Sequence, residues 1–383
     1  VLVIGLMSGT SADAVDAALV EWPDDASARP FRLLACVEAP LGDELQGRVH
    51  ALAACELAPR EALRELARLD VELAVRFADA ARAVARAASV DLARVDAIAS
   101  HGQTVAHHPE HASSLQIGNP SVIAERTGCT VVADFRSRDL AAGGEGAPLA
   151  PFFHLAALGE RGEARVALNL GGIANVTWLP PSLDPDEVVA FDVGPANALL
   201  DAAVQCATGG AERMDAGGRR AARGRVDDAL LARLLDDEFL RRRPPKSTGR
   251  ERYGRAEAQA LVAEVGTARL DDLLATLLAF TVESVARACA ELLPGRPARL
   301  LVGGGGAKNP RMLERLAAAM PACAVEPFEA AGVPADAAEA MAFSLLGRNA
   351  LLGVPNHLPR TTGARRAAVL GVLVPGGAGR IGR

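Results

Sequence analysis

Apolar and polar residues alternate along this chain in a pattern that predicts strands and helices in turn. The first 22 residues, VLVIGLMSGTSADAVDAALVEW, form an apolar run, a hydroxyl-rich turn and a second apolar run, which predicts a β-hairpin. FRLLACVEAPL, at 31–41, supplies a third strand. From about Pro59 to Ala88, apolar residues recur at helical spacing among charged ones, which predicts a long amphipathic helix. This alternation indicates an α/β protein.

The layout of the first hairpin returns later in the chain. RVALNLGGIANVTWL, at 165–179, again has a strand, a glycine turn and a strand, whereas 298–320 predicts a strand, a glycine loop and a helix. VDAIASHGQTV, at 95–105, predicts a strand that ends in a polar loop, and RRRPPKSTGRERYG, at 241–254, predicts a loop. The repeated hairpin indicates two domains, with a boundary near residues 134–140.

Composition narrows the class of partner. Half of the 383 residues are apolar, which is enough for two hydrophobic cores. The net charge of −6 gives no electrostatic reason to expect nucleic acid or an anionic membrane, so a small molecule is the expected partner. The six cysteines form no CxxC pair, which argues against a zinc site or a disulfide framework. We find no apolar run approaching the roughly 18 residues of a membrane span, and expect a cytoplasmic protein.

The two hairpin turns are candidate phosphate sites. Glycine permits close approach of the backbone to an anion, and neighbouring N–H groups and hydroxyls can converge on it. An ordinary tight hairpin is the alternative for either turn alone. The chain has neither a Walker loop nor a Rossmann fingerprint, so a nucleotide would have to use the hairpins.

Polar residues at strand ends are candidates for chemistry. Asp192 follows an apolar strand and precedes a predicted helix, which suits either a general base or a helix cap. SHGQTVAHHPEH holds four of the seven histidines, but no ligand spacing typical of a metal site accompanies them. His101, Gln103 and Thr104 therefore suit contacts to a polar ligand or hydrogen bonds within a loop.

Charged residues elsewhere leave two interpretations open. Arg136 and Arg138, next to two aspartates, suit structural ion pairs or recognition of a substrate carboxylate. Glu339 lies at a predicted helix start, where a carboxylate interacts favourably with the helix dipole. The segment 246–250, with Lys246 and Arg250, could close over a ligand or form a solvated basic loop.

Ten motifs, in this order, resemble those of the anhydro-N-acetylmuramic acid kinases, which belong to the sugar kinase, Hsp70 and actin superfamily. They are GLMSGTSADAVD, SHGQT, QIGNP, ADFRSRD, GGEGAPL, LNLGGIANV, FDVGPANALLD, PKSTGRERY, GGGGAKN and EAMAF. The resemblance implies an actin-like fold of two α/β domains with mixed sheets and a central cleft. The first domain would comprise residues 1–136 and about 362–383, and the second residues 137–361.

The resemblance also implies the reaction. ATP, Mg²⁺ and water would convert 1,6-anhydro-N-acetylmuramic acid to N-acetylmuramic acid 6-phosphate and ADP during cell-wall recycling. The expected assembly is a homodimer without nucleic acid or membrane. One alternative is a kinase that phosphorylates a hydroxyl of another amino sugar, with Asp192 deprotonating that hydroxyl instead of water. Another is an ATPase module of the actin or Hsp70 type.

By the same resemblance, Asp192 falls on the catalytic base, and no protein metal ligand is expected. The expected sugar contacts are His101, Gly102, Gln103, Thr104, Arg138 and Glu339, with Arg138 paired to the lactyl carboxylate. The expected nucleotide contacts are Gly9, Thr10, Ser11, Ala12, Asp13, Ala14, Val15, Asp16, Gly171, Gly172, Asn175, Gly304, Gly305, Gly306 and Asn309.

Three alanines depart from the family pattern. The family usually has Leu and Gly in place of Ala12 and Ala14, and Gly in place of Ala196. If either glycine position requires a positive φ, alanine adds strain of roughly 1 kcal/mol. We expect activity to survive these changes, because Asp192, Arg138 and Glu339 are present.

Overall fold

A computed structural model of the chain describes residues 1–377. In that part of the chain the strands are β1 (Leu2–Ser8), β2 (Ala14–Glu21), β3 (Arg32–Pro40), β4 (Ala97–His108), β5 (Ser113–Ile117), β6 (Val131–Ala133), β7 (Arg165–Leu170), β8 (Ile173–Leu179), β9 (Val189–Pro195), β10 (Arg299–Gly303), β11 (Ala324–Pro327) and β12 (Val372–Val374).

The α-helices lie between these strands. They are α1 (Asp43–Ala53), α2 (Pro59–Ala87), α3 (Pro120–Thr127), α4 (Ser137–Ala141), α5 (Ala150–Leu158), α6 (Asn197–Ala207), α7 (Arg219–Arg223), α8 (Asp228–Leu235), α9 (Glu238–Arg241), α10 (Arg255–Val265), α11 (Leu270–Glu291), α12 (Pro310–Ala319), α13 (Ala338–Leu352) and α14 (Pro359–Thr362). The predicted long helix is confirmed as α2, whose buried residues lie on one face.

The chain divides into two compact units. Unit 1 comprises Val1–Ala157 and Ala337–Arg383, and unit 2 comprises Leu158–Asp336. The sheet of unit 1 has the strand order β12-β6-β4-β1-β2-β3, with β5 paired to β4. Its first three strands are antiparallel, while β4 lies parallel to β1 and β6 parallel to β4.

Unit 2 repeats this plan in a smaller sheet. Its strand order is β11-β10-β7-β8-β9. Strands β7, β8 and β9 form an antiparallel meander, and β10 and β11 continue the sheet in parallel from β7. The predicted α/β class, with two units and a mixed sheet in each, is confirmed, and so is the repeated hairpin.

The division differs from the domain boundaries predicted at 136/137 and about 361/362. Helix α4 belongs to unit 1 because Asp139, which is fully buried, accepts a hydrogen bond from Thr362 Oγ1 at 2.7 Å and lies 2.7 Å from His357 Nδ1. Helix α13 also belongs to unit 1, since its Ser344 hydroxyl donates to the Val3 carbonyl of β1 at 3.0 Å. These contacts join residues that are far apart in the sequence, so local sequence patterns could not predict them.

The ends of two strands also differ from the prediction. The segment of His101 and Gln103 was predicted to end a strand in a loop, but β4 continues to His108 because it pairs with β5 across a bulge. Asp192 was predicted to follow a strand, but it lies within β9, which pairs with β8 as far as Pro195. Pairing partners distant in sequence extend both strands.

One helical segment in the described part of the chain, Thr267–Glu291, is long and apolar enough to cross a membrane. This corrects the expectation that no apolar run approaches that length. The segment contains α11, and 78% of its apolar window is buried within the protein. A core helix passes the same test, so the segment is weak evidence for a membrane span.

Close packing joins α13 to the sheet of unit 1. A Cβ atom on Gly5 of β1 would overlap the carbonyl oxygen of Ala340, and one on Gly347 would overlap the side chain of Ala99. Backbone lies against backbone here, so a methyl group can be accommodated only if α13 moves away from the strands.

We predict that Gly5→Ala lowers the free energy of unfolding by about 1–3 kcal/mol, because overpacking displaces α13. Urea unfolding measures this through Trp22 fluorescence in a Trp178→Phe background. The control is Gly47→Ala in α1, where no atom lies within 4 Å of the added methyl group. That change is expected to stabilise unit 1 by up to about 1 kcal/mol. Equal stabilities of Gly5→Ala and the parent would contradict the packing account.

Candidate functional site

The first hairpin turn, between β1 and β2 of unit 1, has open amide groups. Asp13 accepts hydrogen bonds from Ser11 Oγ at 2.6 Å and from the Ala14 N–H at 3.1 Å, which fixes the turn. Within the described residues, the N–H groups of Thr10 and Ser11 have no protein acceptor. Successive free amides in a turn are ligands for an anion, so the turn fits a phosphate.

Gln103 on β4 supports this turn from the neighbouring strand. It is buried, its Nε2 donates to the Gly9 carbonyl at 3.1 Å, and its Oε1 lies 2.7 Å from Ser8 Oγ. The same hydroxyl lies 2.9 Å from the Ala14 carbonyl. Gln103 was predicted as a sugar contact, but both ends of its amide are engaged with the first hairpin.

The neighbours of Gln103 on β4 are also engaged within unit 1. Thr104 Oγ1 accepts a hydrogen bond from Gln116 Nε2 at 3.1 Å. Gly102 has a φ of 73°, and a Cβ there would lie 2.8 Å from the Ile117 carbonyl oxygen. Glycine is required at this position both by its backbone conformation and by the close approach of β5.

Arg136 lies next to residues that were predicted to contact the sugar. Its Nε and Nη2 lie 3.1 and 2.9 Å from His101 Nε2, and its Nη1 donates to the Gly146 carbonyl at 2.9 Å. His101 Nδ1 lies 2.9 Å from the Gly102 carbonyl and must donate to it. The imidazole is therefore protonated on Nδ1 and accepts from Arg136 through Nε2.

The electrostatics of this cluster agree with that tautomer. Burial and the charge of Arg136 lower the pKa of His101 to about 3, so the ring is neutral near pH 7. Burial lowers the pKa of Arg136 to about 10, against the charges of Glu339 and Asp139. Glu339, in the first turn of α13, is reachable by solvent, yet surrounding protein desolvates it and raises its pKa, and Arg136 opposes that rise.

Arg138 lies apart from this cluster. It is exposed on α4, and its side chain makes no hydrogen bond or ion pair within the described residues. Helix α4 begins at Ser137, so side chains at 136 and 138 leave the backbone in different directions. The structure therefore brings Arg136, and not Arg138, together with His101 and Glu339.

The second hairpin turn, in unit 2, is fastened to the start of α6. The Gly171 carbonyl accepts the Asn197 N–H at 3.1 Å, and the Gly172 carbonyl accepts those of Ala196 and Ala198 at 3.1 and 3.0 Å. These bonds satisfy the amides of Asn197 and Ala198, the first two residues of α6. The turn is held in a fixed position relative to α6.

The glycine loop after β10 packs on the end of β7. Gly304 has a φ of 75°, and a Cβ there would overlap the side chain of Asn169. A Cβ on Gly306 would lie 2.5 Å from the Leu170 Cβ, which real side chains do not tolerate. Gly305 lies beside Asn197, with 3.7 Å between its would-be Cβ and Nδ2. The loop and the second hairpin thus form one glycine-rich surface.

Asn309 has a structural role next to this surface. Its Oδ1 accepts the N–H groups of Arg311 and Met312 at 3.1 and 3.2 Å and so caps α12. A segment that the sequence analysis missed, Gly217 and Gly218, lies against it with φ of 66° and 69°. Its signal in the sequence, the glycine pair of DAGG, is too short to be distinguished from an ordinary turn.

Asp192 on β9 faces Asn175 of β8 and is held at one oxygen. Its Oδ2 accepts the Thr248 N–H at 3.0 Å, and its own N–H donates to the Lys246 carbonyl at 3.2 Å. No described residue donates to Oδ1. Burial raises the pKa of Asp192, the Thr248 amide and the Lys246 charge oppose that rise, and Glu251 adds to it. A carboxylate with a raised pKa and a free oxygen suits general-base chemistry.

The loop 242–254 supplies these contacts. Lys246 is buried, so the solvated-loop interpretation does not hold at this position. Ser247 is exposed, and the guanidinium of Arg250 lies beside the second hairpin, with Nε 3.5 Å from the position a Cβ of Gly172 would take. Arg250 therefore places positive charge next to a glycine turn, as a phosphate site requires.

Two of the three alanine departures, Ala14 and Ala196, lie outside the left-handed region. Ala12 has a φ of 49°, at a position where the family usually has leucine. Ala14 begins β2, and Ala196 has a φ of −133°. Neither position at which the family usually has glycine adopts a positive φ, so alanine adds no left-handed strain there.

The described residues contain no group of three or more His, Cys, Asp or Glu side chains that could hold a metal ion. Mg²⁺ in kinases is commonly held by one or two carboxylates together with substrate phosphates. The donor set of the chain is therefore compatible with a metal that enters with a nucleotide.

Comparison with known proteins identifies close relatives over the whole chain. The profile of the anhydro-N-acetylmuramic acid kinase family matches residues 1–376. The anhydro-N-acetylmuramic acid kinase of Streptomyces coelicolor is 45% identical over 378 residues, which is 98% of this chain and 94% of that protein. That of Xanthomonas campestris is 47% identical over 98% of this chain and 97% of its own length.

Solved structures are much less similar. The activator of 2-hydroxyisocaproyl-CoA dehydratase from Clostridium difficile with bound ADPNP is 11% identical, has a TM-score of 0.41 and covers 91% of this chain and 95% of its own. A ROK family glucokinase from Streptomyces griseus, in complex with glucose and AMPPNP, is 14% identical, has a TM-score of 0.36 and covers 91% and 98%. Similarity at this level says nothing about function.

We predict that the ¹⁵N chemical shifts of His101 do not change between about pH 5 and 8, because its pKa is lowered to about 3. Heteronuclear NMR with histidine-selective labelling measures this, and His101→Gln assigns the signal. In Arg136→Met the loss of a neighbouring positive charge raises the pKa of His101, so protonation of Nε2 begins at higher pH. Titration of His101 near the ordinary value of about 6.5 in the unmodified protein would contradict the assigned tautomer.

Proposed function

The chain belongs to the anhydro-N-acetylmuramic acid kinase family, and we propose that it opens the 1,6-anhydro ring of 1,6-anhydro-N-acetylmuramic acid with water while phosphorylating O6. Family membership makes it an ATP-dependent kinase of cell-wall recycling that acts on a small sugar. The proposed products are N-acetylmuramic acid 6-phosphate and ADP. In this reaction water attacks C1, the C1–O6 bond breaks, and O6 takes the γ-phosphoryl group.

The observation that carries this proposal is the Asp192 carboxylate. One oxygen is held by the Thr248 amide, and the other is free to take a proton from water. Cleavage of an anomeric bond develops oxocarbenium character, so a weakly activated water is a competent nucleophile. A carboxylate is a sufficient base for such a water, and burial raises the pKa of Asp192 towards the range where it can take up a proton.

Arg136 is the proposed partner of the lactyl carboxylate. The guanidinium is held by neutral His101 and by the Gly146 carbonyl, which leaves it rigid before the sugar binds. Arginine recognises carboxylates through paired N–H groups, and pre-ordering lowers the entropy lost on binding. Glu339, within electrostatic range of Arg136, is the proposed acceptor for a sugar hydroxyl or amide.

The nucleotide phosphates are proposed to bind glycine-rich turns. In unit 1 the free amides of Thr10 and Ser11 suit a phosphate, and in unit 2 Gly171, Gly172 and the loop 304–306 suit the rest of the nucleotide. Arg250 beside Gly172 would neutralise phosphate charge. Bound Mg²⁺ would supply further charge neutralisation, which together with positioning is most of what phosphoryl transfer requires.

A homodimer in the cytoplasm remains part of the proposal. The net charge of −6 supports a small-molecule substrate over nucleic acid.

We predict that the purified protein releases ADP from ATP and Mg²⁺ with 1,6-anhydro-N-acetylmuramic acid, and not with N-acetylmuramic acid, N-acetylglucosamine or no sugar. Asp192→Asn should lower kcat roughly 100- to 10,000-fold, because the general base is lost. A coupled ADP assay measures both. The matched control is Asp228→Asn on exposed α8, which should retain full activity.

Two outcomes would overturn the ring-opening function. Turnover of an open amino sugar that exceeds turnover of the anhydro sugar would identify a kinase for a sugar hydroxyl. ADP release that is independent of sugar would identify an ATPase module.

We predict that Arg136→Met raises KM for the anhydro sugar about 10- to 100-fold, because a charge-assisted hydrogen bond to the carboxylate is lost. Arg138→Met is the matched control and should leave KM unchanged, since Arg138 lies apart from the cluster. An anhydro sugar that lacks the lactyl group should bind Arg136→Met and the parent enzyme equally. The opposite ranking of the two variants would show that Arg138 binds the carboxylate.

A further inference from the structure

Lys246 is a buried cation whose ammonium is hydrogen-bonded within unit 2. Its side chain is 6% exposed, and its ammonium lies over the rings of Phe239 and Phe191, at 4.6 and 5.7 Å from their centroids. The Nζ donates hydrogen bonds to the carbonyls of Phe239 and Leu240 at 3.1 and 3.2 Å. These carbonyls lie in α9, whose C-terminal end attracts positive charge. The ammonium is therefore committed to fastening its own loop to α9.

Helix α9 is itself held in place by other residues of unit 2. Asp237 accepts the Phe239 N–H at 2.8 Å at the start of α9 and also accepts the Tyr253 hydroxyl at 2.6 Å, besides pairing with Arg252. Leu240 packs on β9, within 3.1 Å of the position a Cβ of Gly194 would take. Both ends of the loop 242–254 are thus tied to α9, and α9 lies against the strand that carries Asp192.

The loop reaches Asp192 through its backbone. The Lys246 carbonyl accepts the Asp192 N–H at 3.2 Å, and two residues later the Thr248 N–H donates to Asp192 Oδ2 at 3.0 Å. The path from the buried ammonium to the carboxylate is therefore short and entirely within unit 2. A loop that slipped by one residue would present a different amide to Asp192 or none.

We propose that Lys246 is a positioning residue for the reaction: its buried ammonium fixes the loop so that the Thr248 amide holds one oxygen of the base, Asp192, and leaves the other oxygen free. This inference rests on the proposed function of Asp192. Lys246 would act on the reaction through Asp192 and would not contact the sugar or the nucleotide.

Two consequences for Asp192 follow. The charged and polar groups that influence the pKa of its carboxylate are the Lys246 ammonium, the Thr248 amide and the Glu251 carboxylate. The ammonium and the amide favour the ionised form, while Glu251 disfavours it. Loss of the Lys246 charge and loosening of the Thr248 bond therefore both raise the pKa of Asp192. Because the base must be ionised, activity falls as pH falls through that pKa, and the acid limb moves to higher pH.

The test is the pH dependence of kcat/KM for Lys246→Met, with Mg²⁺, ATP and the anhydro sugar. We expect the acid limb to move up by about one pH unit, so that kcat/KM at the midpoint of the parent's acid limb falls roughly fivefold, while KM for the sugar stays within about twofold. Lys246→Arg, which keeps a cation able to donate to both carbonyls, should retain the acid limb of the parent. The matched control is Arg241→Met, which removes an exposed charge from α9 and should leave the limb in place.

A second readout does not depend on turnover. The pH dependence of the ¹³Cγ chemical shift of Asp192 reports the pKa of its carboxyl group directly, and the signal is assigned by its absence from Asp192→Asn. This pKa should be higher in Lys246→Met than in the parent, by the same amount as the midpoint of the acid limb. If Lys246→Met fails to fold, Lys246→Gln is measured in its place, with the same expected direction. An acid limb and a ¹³C titration unchanged in a folded variant would overturn the positioning role. Full activity of Asp192→Asn would instead overturn the proposed base, whatever Lys246 does.

Discussion

The proposed chemistry of this protein depends on how one carboxylate is held. Asp192 projects from the strand β9, where burial disfavours its charge, and a single backbone amide from Thr248 keeps it oriented. Without that amide the side chain could rotate, and neither oxygen would be fixed relative to the water that we propose it activates. The surrounding architecture, with β8 on one side and the loop fastened by Lys246 to α9 on the other, serves this constraint.

In unit 1, too, buried neutral side chains hold other groups in place: His101 holds a charged side chain, and Gln103 holds a turn that has free amide groups. His101 is kept neutral by burial and by Arg136, and for that reason can accept the guanidinium through Nε2. Both ends of the Gln103 amide are hydrogen-bonded to the first hairpin, and the N–H groups of the turn remain free for a ligand. Several residues that sequence patterns suggest as ligand contacts thus orient the groups proposed to make those contacts, and pre-ordering of this kind reduces the entropy that binding costs.

Sequence reasoning predicted the parts that depend on local pattern. The hairpins, the long helix α2 and the repeated plan of the two sheets follow from periodicity and glycine turns. It could not predict that β4 extends to His108, that α13 packs on the first sheet, or that Arg136 rather than Arg138 meets His101. Each of these depends on a partner distant in sequence or on the direction of a side chain at a helix start. The buried end of Lys246 was equally hidden, because a lysine between prolines and serine has the composition of a surface loop.

The proposed reaction requires water to attack the anomeric carbon of the sugar. It is tested most directly by a single turnover of 1,6-anhydro-N-acetylmuramic acid in H₂¹⁸O, with the product trapped by rapid borohydride reduction and analysed by mass spectrometry. Unlabelled N-acetylmuramic acid 6-phosphate, held in the same water for the same time, corrects for exchange. The account predicts one ¹⁸O on C1 of the sugar and none in its phosphate. A phosphorylated sugar without label on C1 would contradict it.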